Sequence, residues 1–140
     1  MTDARYADAG PDIPLAIRAE DAEDLRVLAA LAQDAVLTAG DMAHDGVARR
    51  FSLLLNRFRW EDADTARREG RPYERVRSLL VISDALRVRH DGIDRGDPAT
   101  VLSLLDIGWQ PGEDGTGVLT LTFAGDGAVA IDAECLSVDL

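Results

Sequence analysis

At 140 residues, 46% hydrophobic and 29% charged, the chain suits one globular domain that buries roughly two-thirds of its unfolded surface. A formal charge of −11 repels phosphate at long range, which argues against a general nucleic-acid or anionic-membrane binder. Every basic residue is arginine, so Schiff-base chemistry and a phosphate-loop lysine are excluded as well.

No apolar run approaches the roughly 20 residues that cross a bilayer. The first residues are acidic and lack the apolar core of a secretory signal, and a single cysteine, Cys135, fits a reducing compartment. The expected setting is the cytoplasm. Charge is unevenly spread: residues 49–95 hold twelve arginines against eight acids, whereas residues 96–140 hold eight acids and no base.

Residues 1–14 carry Gly10-Pro11 and Pro14 among acids without periodicity and read as a flexible tail. Residues 15–140 form the single domain, opening on a short extended piece at 15–17. Asp21 is placed to cap a helix, with Glu23 and Asp24 in the first turn where the helix dipole favours anions. Leu25, Leu28, Leu31 and Ala32 recur at helical spacing and give it an apolar stripe ending near Gln33.

From Ala35 the period changes to two. Residues 36–38 and 42–44 lead into Asp45-Gly46, a hairpin signal, and the return strand is expected over 47–60. Within it Leu53, Leu54 and Leu55 suggest burial on both faces. A polar loop at 61–72, with room for a helical turn, precedes a strand over 73–83. A tight turn at Asp84 then pairs Ile82 with Leu86 and Leu80 with Val88 in a hairpin. Residues 101–109 read as a buried strand, 111–117 as a glycine-rich loop, and 118–135 as a final ribbon reversing at Gly125-Asp126-Gly127. On that ribbon Cys135 alternates with Val129, Ile131 and Ala133 and reads as a buried thiol.

His44-Asp45-Gly46 recurs as His90-Asp91-Gly92, and each copy is followed by a leucine-rich strand and a tryptophan, Trp60 and Trp109. Two readings are open: an internal repeat relating 34–83 to 84–125, or the reuse of a favoured turn. Neither histidine has close metal-ligand spacing, so no metal and no cofactor is expected. No catalytic constellation is evident.

One feature rises above background. Arg57 and Arg59, interleaved with Phe58 and Trp60, stand beside Arg75 and Arg77 if the strands pair, with Arg87 and Arg89 on the next strand. Guanidinium forks suit phosphate or carboxylate, and aromatic rings between them can stack a ligand. The alternative is a solvated face whose arginines pair with the protein's own acids.

Residues 56–61 (Asn-Arg-Phe-Arg-Trp-Glu), 101–105 (Val-Leu-Ser-Leu-Leu), Phe123-Ala124-Gly125 with Glu134-Cys135, and Gln33-Asp34-Ala35-Val36 carry a resemblance. Over residues 15–140 the chain resembles the bacterial family known as domain of unknown function 2948. The resemblance implies a housekeeping bacterial setting and brings no catalytic residue or cofactor to carry over.

The expected fold is α+β, mainly antiparallel: about seven strands meandering into a bent sheet or partly open barrel, with one N-terminal helix on it. The leading functional reading is a non-catalytic interaction module that binds a protein partner or a second copy, with no nucleic acid and no membrane. A second is a binder of a small anionic ligand through Arg57, Arg59, Trp60, Arg75, Arg77, Arg87, Arg89 and Trp109. A third, a hydrolase or isomerase using His44 or His90, requires a carboxylate beside the imidazole.

Overall fold

Alternation of apolar and polar residues sets most of the structure, because a half-buried antiparallel strand turns every second side chain to the core. The computed structural model describes residues 16–72, 74–93 and 96–140; the expected tail at 1–14 lies outside them. Ten strands occur among the described residues: β1 (Arg18–Ala19), β2 (Val36–Thr38), β3 (Met42–Asp45), β4 (Arg50–Phe58), β5 (Arg75–Ser83), β6 (Ala85–Asp91), β7 (Val101–Pro111), β8 (Gly117–Phe123), β9 (Ala128–Ala133) and β10 (Val138–Asp139). Two α-helices accompany them, α1 (Ala22–Ala32) and α2 (Ala63–Glu69). The α+β, mainly antiparallel class stands, and the strand count is higher than expected. β1 and β10 are too short to show a period, and a 3₁₀ turn at Ala39–Asp41 splits β2 from β3.

All pairings are antiparallel, in the order β1–β10–β5–β4–β2–β7–β8–β9–β6, with β3 paired on β4 beside that path. The path has two ends, so the sheet bends without closing. β7 belongs to both halves: it pairs with β2 through Val101, Leu102 and Ser103, and with β8 from Leu104 onward. A bulge at Leu105 shifts the register there, which bends the strand from one half into the other.

The chain crosses between halves a second time at Asp84, and here the expected hairpin is not formed. β5 pairs with β4 and β10, whereas β6 pairs with β9. Asp84 takes a left-handed φ of 56°, a single-residue corner that redirects the chain without reversing it. Three backbone bonds fix the corner: Ser83 N–H to Ser137 O, Ala85 N–H to Arg49 O, and Glu134 N–H to Asp84 O. Ile82 therefore faces Phe51 and Val138, and Val88 faces Ile131.

Helix α1 forms as expected: the Asp21 carboxylate accepts from Asp24 N–H at 2.8 Å, satisfying one orphan donor of the first turn. It ends at Gln33, before Asp34 in a left-handed conformation. Leu25, Leu28 and Ala32 are buried, and α1 packs on β7, β1 and β4. Complete burial of each leucine stabilises by about 2 kcal/mol.

The inner faces of both halves share one core that includes Phe51, Leu53, Leu55, Leu80 and Ile82 from the first half. Leu119, Leu121, Phe123, Val129 and Ile131 complete it from the second. Two local expectations are corrected. Only Leu53 and Leu55 of the leucine run are buried, since Leu54 turns outward; and residues 47–49 are turn, so β4 begins at Arg50.

Candidate functional site

The outer side of the first half is a sheet face. Across it, strand register sets out rows of neighbours. Arg75 lies opposite Phe58, Arg77 opposite Asn56, and Leu79 opposite Leu54. Asn56 in turn faces Val36, Val36 faces Ser103, and Thr38 faces Val101. The helix that covers this half lies over Leu53 and Leu55, on the inner side, so these residues face out. Leu79 is 54% exposed, Val101 68% and Leu105 45%. Three large aliphatic side chains on one face that no described element covers is the feature that stands out, because soluble proteins seldom leave apolar residues grouped without a purpose.

Charge rims this apolar band. The Arg75 guanidinium sits 4.0 Å above the Phe58 ring and donates to Asn56 O at 3.1 Å. Phe58 also packs on Trp60, with ring centroids 5.2 Å apart, and Trp60 Nε1–H donates to Gln33 O at 3.2 Å. In the 3₁₀ turn after β2, the Asp41 carboxylate accepts from Thr38 N–H at 2.9 Å and from Thr38 Oγ1 at 3.0 Å. These two bonds, with a smaller contribution from Arg77, hold the Asp41 carboxyl below its usual range. The face thus carries both signs of charge beside its aliphatic residues.

Arg57 and Arg59 do not belong to it. They alternate with Asn56 and Phe58, so they point inward at the open end of the core. Arg57, only 1% exposed, donates through both terminal nitrogens to the two Glu61 oxygens at 2.8 Å, and through Nε to Ser78 Oγ at 2.8 Å. Arg59 pairs with Glu74 and lies 3.9 Å from Asp62, which accepts from Arg71 at 2.8 Å. The Arg57 hydrogen bonds hold the Glu61 carboxyl below its ordinary value. These arginines tie α2 and its flanking turns to the sheet end, and each is already paired with one of the protein's own acids, Arg57 with Glu61 and Arg59 with Glu74. The apparent stripe in the sequence splits because alternate residues of one strand face opposite sides.

The remaining expected residues lie on the second half. Arg87 and Arg89 point outward from β6, where Arg89 pairs with Asp132 at 2.6 Å. The corner at Asp84 is what separates them from Arg75 and Arg77. Trp109 faces Leu119 and packs against the core. Gly117 makes room for it: a Cβ there would fall 2.5 Å from the Trp109 ring. Trp60 and Trp109 accordingly serve different halves of the sheet. Cys135, expected to be buried, is exposed beyond the end of β9 and donates to Asp84 Oδ2 at 3.2 Å; that hydrogen bond is the main reason its pKa is raised. A raised pKa leaves less thiolate and a poorer nucleophile.

Sequence reasoning found Arg75, Arg77 and Trp60 at this face but passed over Leu54, Leu79, Val101 and Leu105. An apolar residue at an outward strand position is the signal that marks them, and it is readable only once the inward parity is known. Among the described residues no group of three or more His, Cys, Asp or Glu side chains is placed to hold a metal ion, and no helix is long and apolar enough to cross a membrane. Geometry of this kind supports non-covalent docking: an apolar band, two guanidinium groups, a carboxylate and an aromatic rim.

Residues 15–140 match the model of a family described as a protein of unknown function (DUF2948). No curated protein and no solved structure matches the chain.

Proposed function

The chain belongs to the DUF2948 family, and from its geometry we propose a non-catalytic interaction module that pairs through the open face of β5, β4, β2 and β7 with a second copy of itself. The observation that carries this reading is the exposure of Leu79, Val101 and Leu105 on a face that no helix among the described residues covers. Two such faces pack at about 10 Å with their side chains interleaved, as in sheet sandwiches. The face is also self-complementary in charge, since it holds Arg77 and Asp41 together. A two-fold pairing therefore gives each arginine a carboxylate to meet on the other copy.

Sedimentation velocity over a concentration series tests this. The wild-type chain is expected to move from monomer to dimer as concentration rises, and Leu79→Asp to remain monomeric with an unchanged circular-dichroism spectrum. A wild-type chain that stays monomeric into the millimolar range, or a Leu79→Asp variant that dimerises equally well, would overturn the proposal.

A small anionic ligand is supported less well. Of the six arginines expected to converge, Arg57, Arg59 and Arg89 are held by Glu61, Glu74 and Asp132. Arg75 is stacked on Phe58, and Arg77 and Arg87 stand on different halves of the sheet.

A further inference from the structure

The chain leaves the sheet after Phe58 and rejoins it at Arg75, and these two residues face each other across β4 and β5. The excursion therefore starts and ends at one place, where Arg59 N–H donates to Glu74 O at 2.8 Å and pins its base. Along it lie a 3₁₀ turn (Trp60–Asp62) and α2, which packs chiefly on that turn. The end of α2 is tied to the helix itself: Gly70, at a φ of 67°, closes it, and Arg71 N–H donates back to Ala66 O at 3.0 Å. A segment built this way can move off the sheet as a unit without breaking a strand pairing.

What holds it down is charge. Ala66, the buried residue of α2, is not among the core residues that the two halves share. Carboxylates meet arginines where the segment lies on the sheet end. Glu61 accepts from both terminal nitrogens of Arg57 at 2.8 Å. Asp62, itself buried, accepts from Arg71 at 2.8 Å and lies 3.9 Å from Arg59. Glu74 pairs with Arg59 and lies 3.8 Å from Arg71, which also donates to Glu69 at 2.7 Å. Held by these pairs, Arg57 and Arg59 are only 1% and 7% exposed.

Ion pairs and apolar burial respond differently to acid. A buried leucine is indifferent to pH, whereas a carboxylate that takes up a proton stops compensating its arginine. The Arg57 hydrogen bonds hold the Glu61 carboxyl below its ordinary value of 4.5. Its contribution is therefore full above pH 4.5 and disappears as pH falls through the lowered value. Among the described residues the charged groups facing Glu61 are Arg57 and Arg59, and those facing Asp62 are Arg59 and Arg71. All of them favour the closed arrangement only while the acids are ionised. Once Glu61 is neutral, Arg57 is a buried cation without a counter-charge. Its shortest way to water is for the segment to lift, since that leaves the shared core intact.

We propose that residues 60–72 form an acid-released strap, which lifts from the sheet end as one unit when Glu61 and Asp62 are protonated and uncovers Arg57 and Arg59 while the core stays folded. The strap acts within one chain, so its test does not depend on dimerisation. Proton exchange in the full chain is followed by NMR at pH 6 and pH 3.5, with correction for intrinsic rates. The Arg57 Nε–H, which donates to Ser78 Oγ at 2.8 Å, and the α2 amides are expected at pH 6 to exchange about tenfold or more faster than amides in the middle of β8. At pH 3.5 these strap protons are expected to lose their protection while the β8 amides keep about a hundredfold or more. Glu61→Gln is expected to lower strap protection about tenfold at pH 6, and Arg89→Gln, which breaks an exposed pair on the other half, to leave it unchanged. Strap and β8 protons losing protection only together, strap protection retained at pH 3.5, or equal strap protection in Glu61→Gln and Arg89→Gln would overturn the proposal.

Discussion

The two halves of the sheet have the same inner face and different outer ones. Inside, both present leucine, isoleucine, valine and phenylalanine to a shared core. Outside, the second half carries Thr120, Thr122, Ala130 and an Arg89–Asp132 pair, with Leu86 as its one large exposed aliphatic residue among those described. The first half carries Leu54, Leu79, Val101 and Leu105 with Phe58 and two arginines. Both faces are made by the same alternation, so alternation does not explain the difference. Water suffices as partner for the second face; the first is the one we propose pairs with a second copy.

The sharpest way to test that distinction compares neighbours on one strand. Leu80 is fully buried and Leu79 is not. Leu80→Ala is expected to destabilise the monomer by about 4 kcal/mol, the cost of a core cavity. Leu79→Ala is expected to change monomer stability by less than ~0.5 kcal/mol while weakening dimerisation. Urea unfolding at low protein concentration separates the two effects; an equal loss for both would place Leu79 in the core.

Breaking the support beneath the first face comes next. Glu61→Gln leaves the buried Arg57 guanidinium without its ion pair, with an expected loss of about 2 kcal/mol, below the range for deeply buried pairs because Glu61 is partly exposed. The sign with pH follows from a carboxyl held below its ordinary value of 4.5. The stabilisation is present above pH 4.5 and is lost as pH falls through the lowered pKa of the folded state. Unfolding curves of wild type and variant should therefore differ by a constant amount from pH 7 to pH 5 and converge in stronger acid. A constant difference at all pH values would show that Glu61 acts through packing alone.

Much of this was legible in the residues. The capped helix, the Asp45-Gly46 hairpin and the inward parity of residues 118–123 follow from spacing alone, because each depends on contacts close in sequence. What spacing does not reveal is where a strand goes at its end. Asp84 carries the turn chemistry of a hairpin, yet its role depends on Arg49, Ser137 and Glu134, which are remote in sequence. Misplacing that corner put Arg87 and Arg89 beside Arg75 and Arg77. Reading residues 57–60 as one face, without its alternation, did the same for Arg57 and Arg59.

Smaller effects refine the comparison. Arg75→Ala removes the cation from above Phe58 and is expected to cost about 0.5–1 kcal/mol of monomer stability, together with some dimer affinity. Thr122→Ser, on the solvated face, is expected to leave both within ~0.5 kcal/mol. A larger effect of the threonine change on dimerisation would exchange the roles assigned to the two faces.

The most direct measurement is the relaxation of side-chain methyl groups by a soluble paramagnetic agent, recorded at low and high protein concentration. The methyls of Leu54, Leu79, Val101 and Leu105 are expected to relax strongly in dilute protein and become shielded as it is concentrated, while those of Thr120, Thr122 and Ala130 stay accessible throughout. Methyls of both faces remaining equally accessible at every concentration would contradict a docking role for the first.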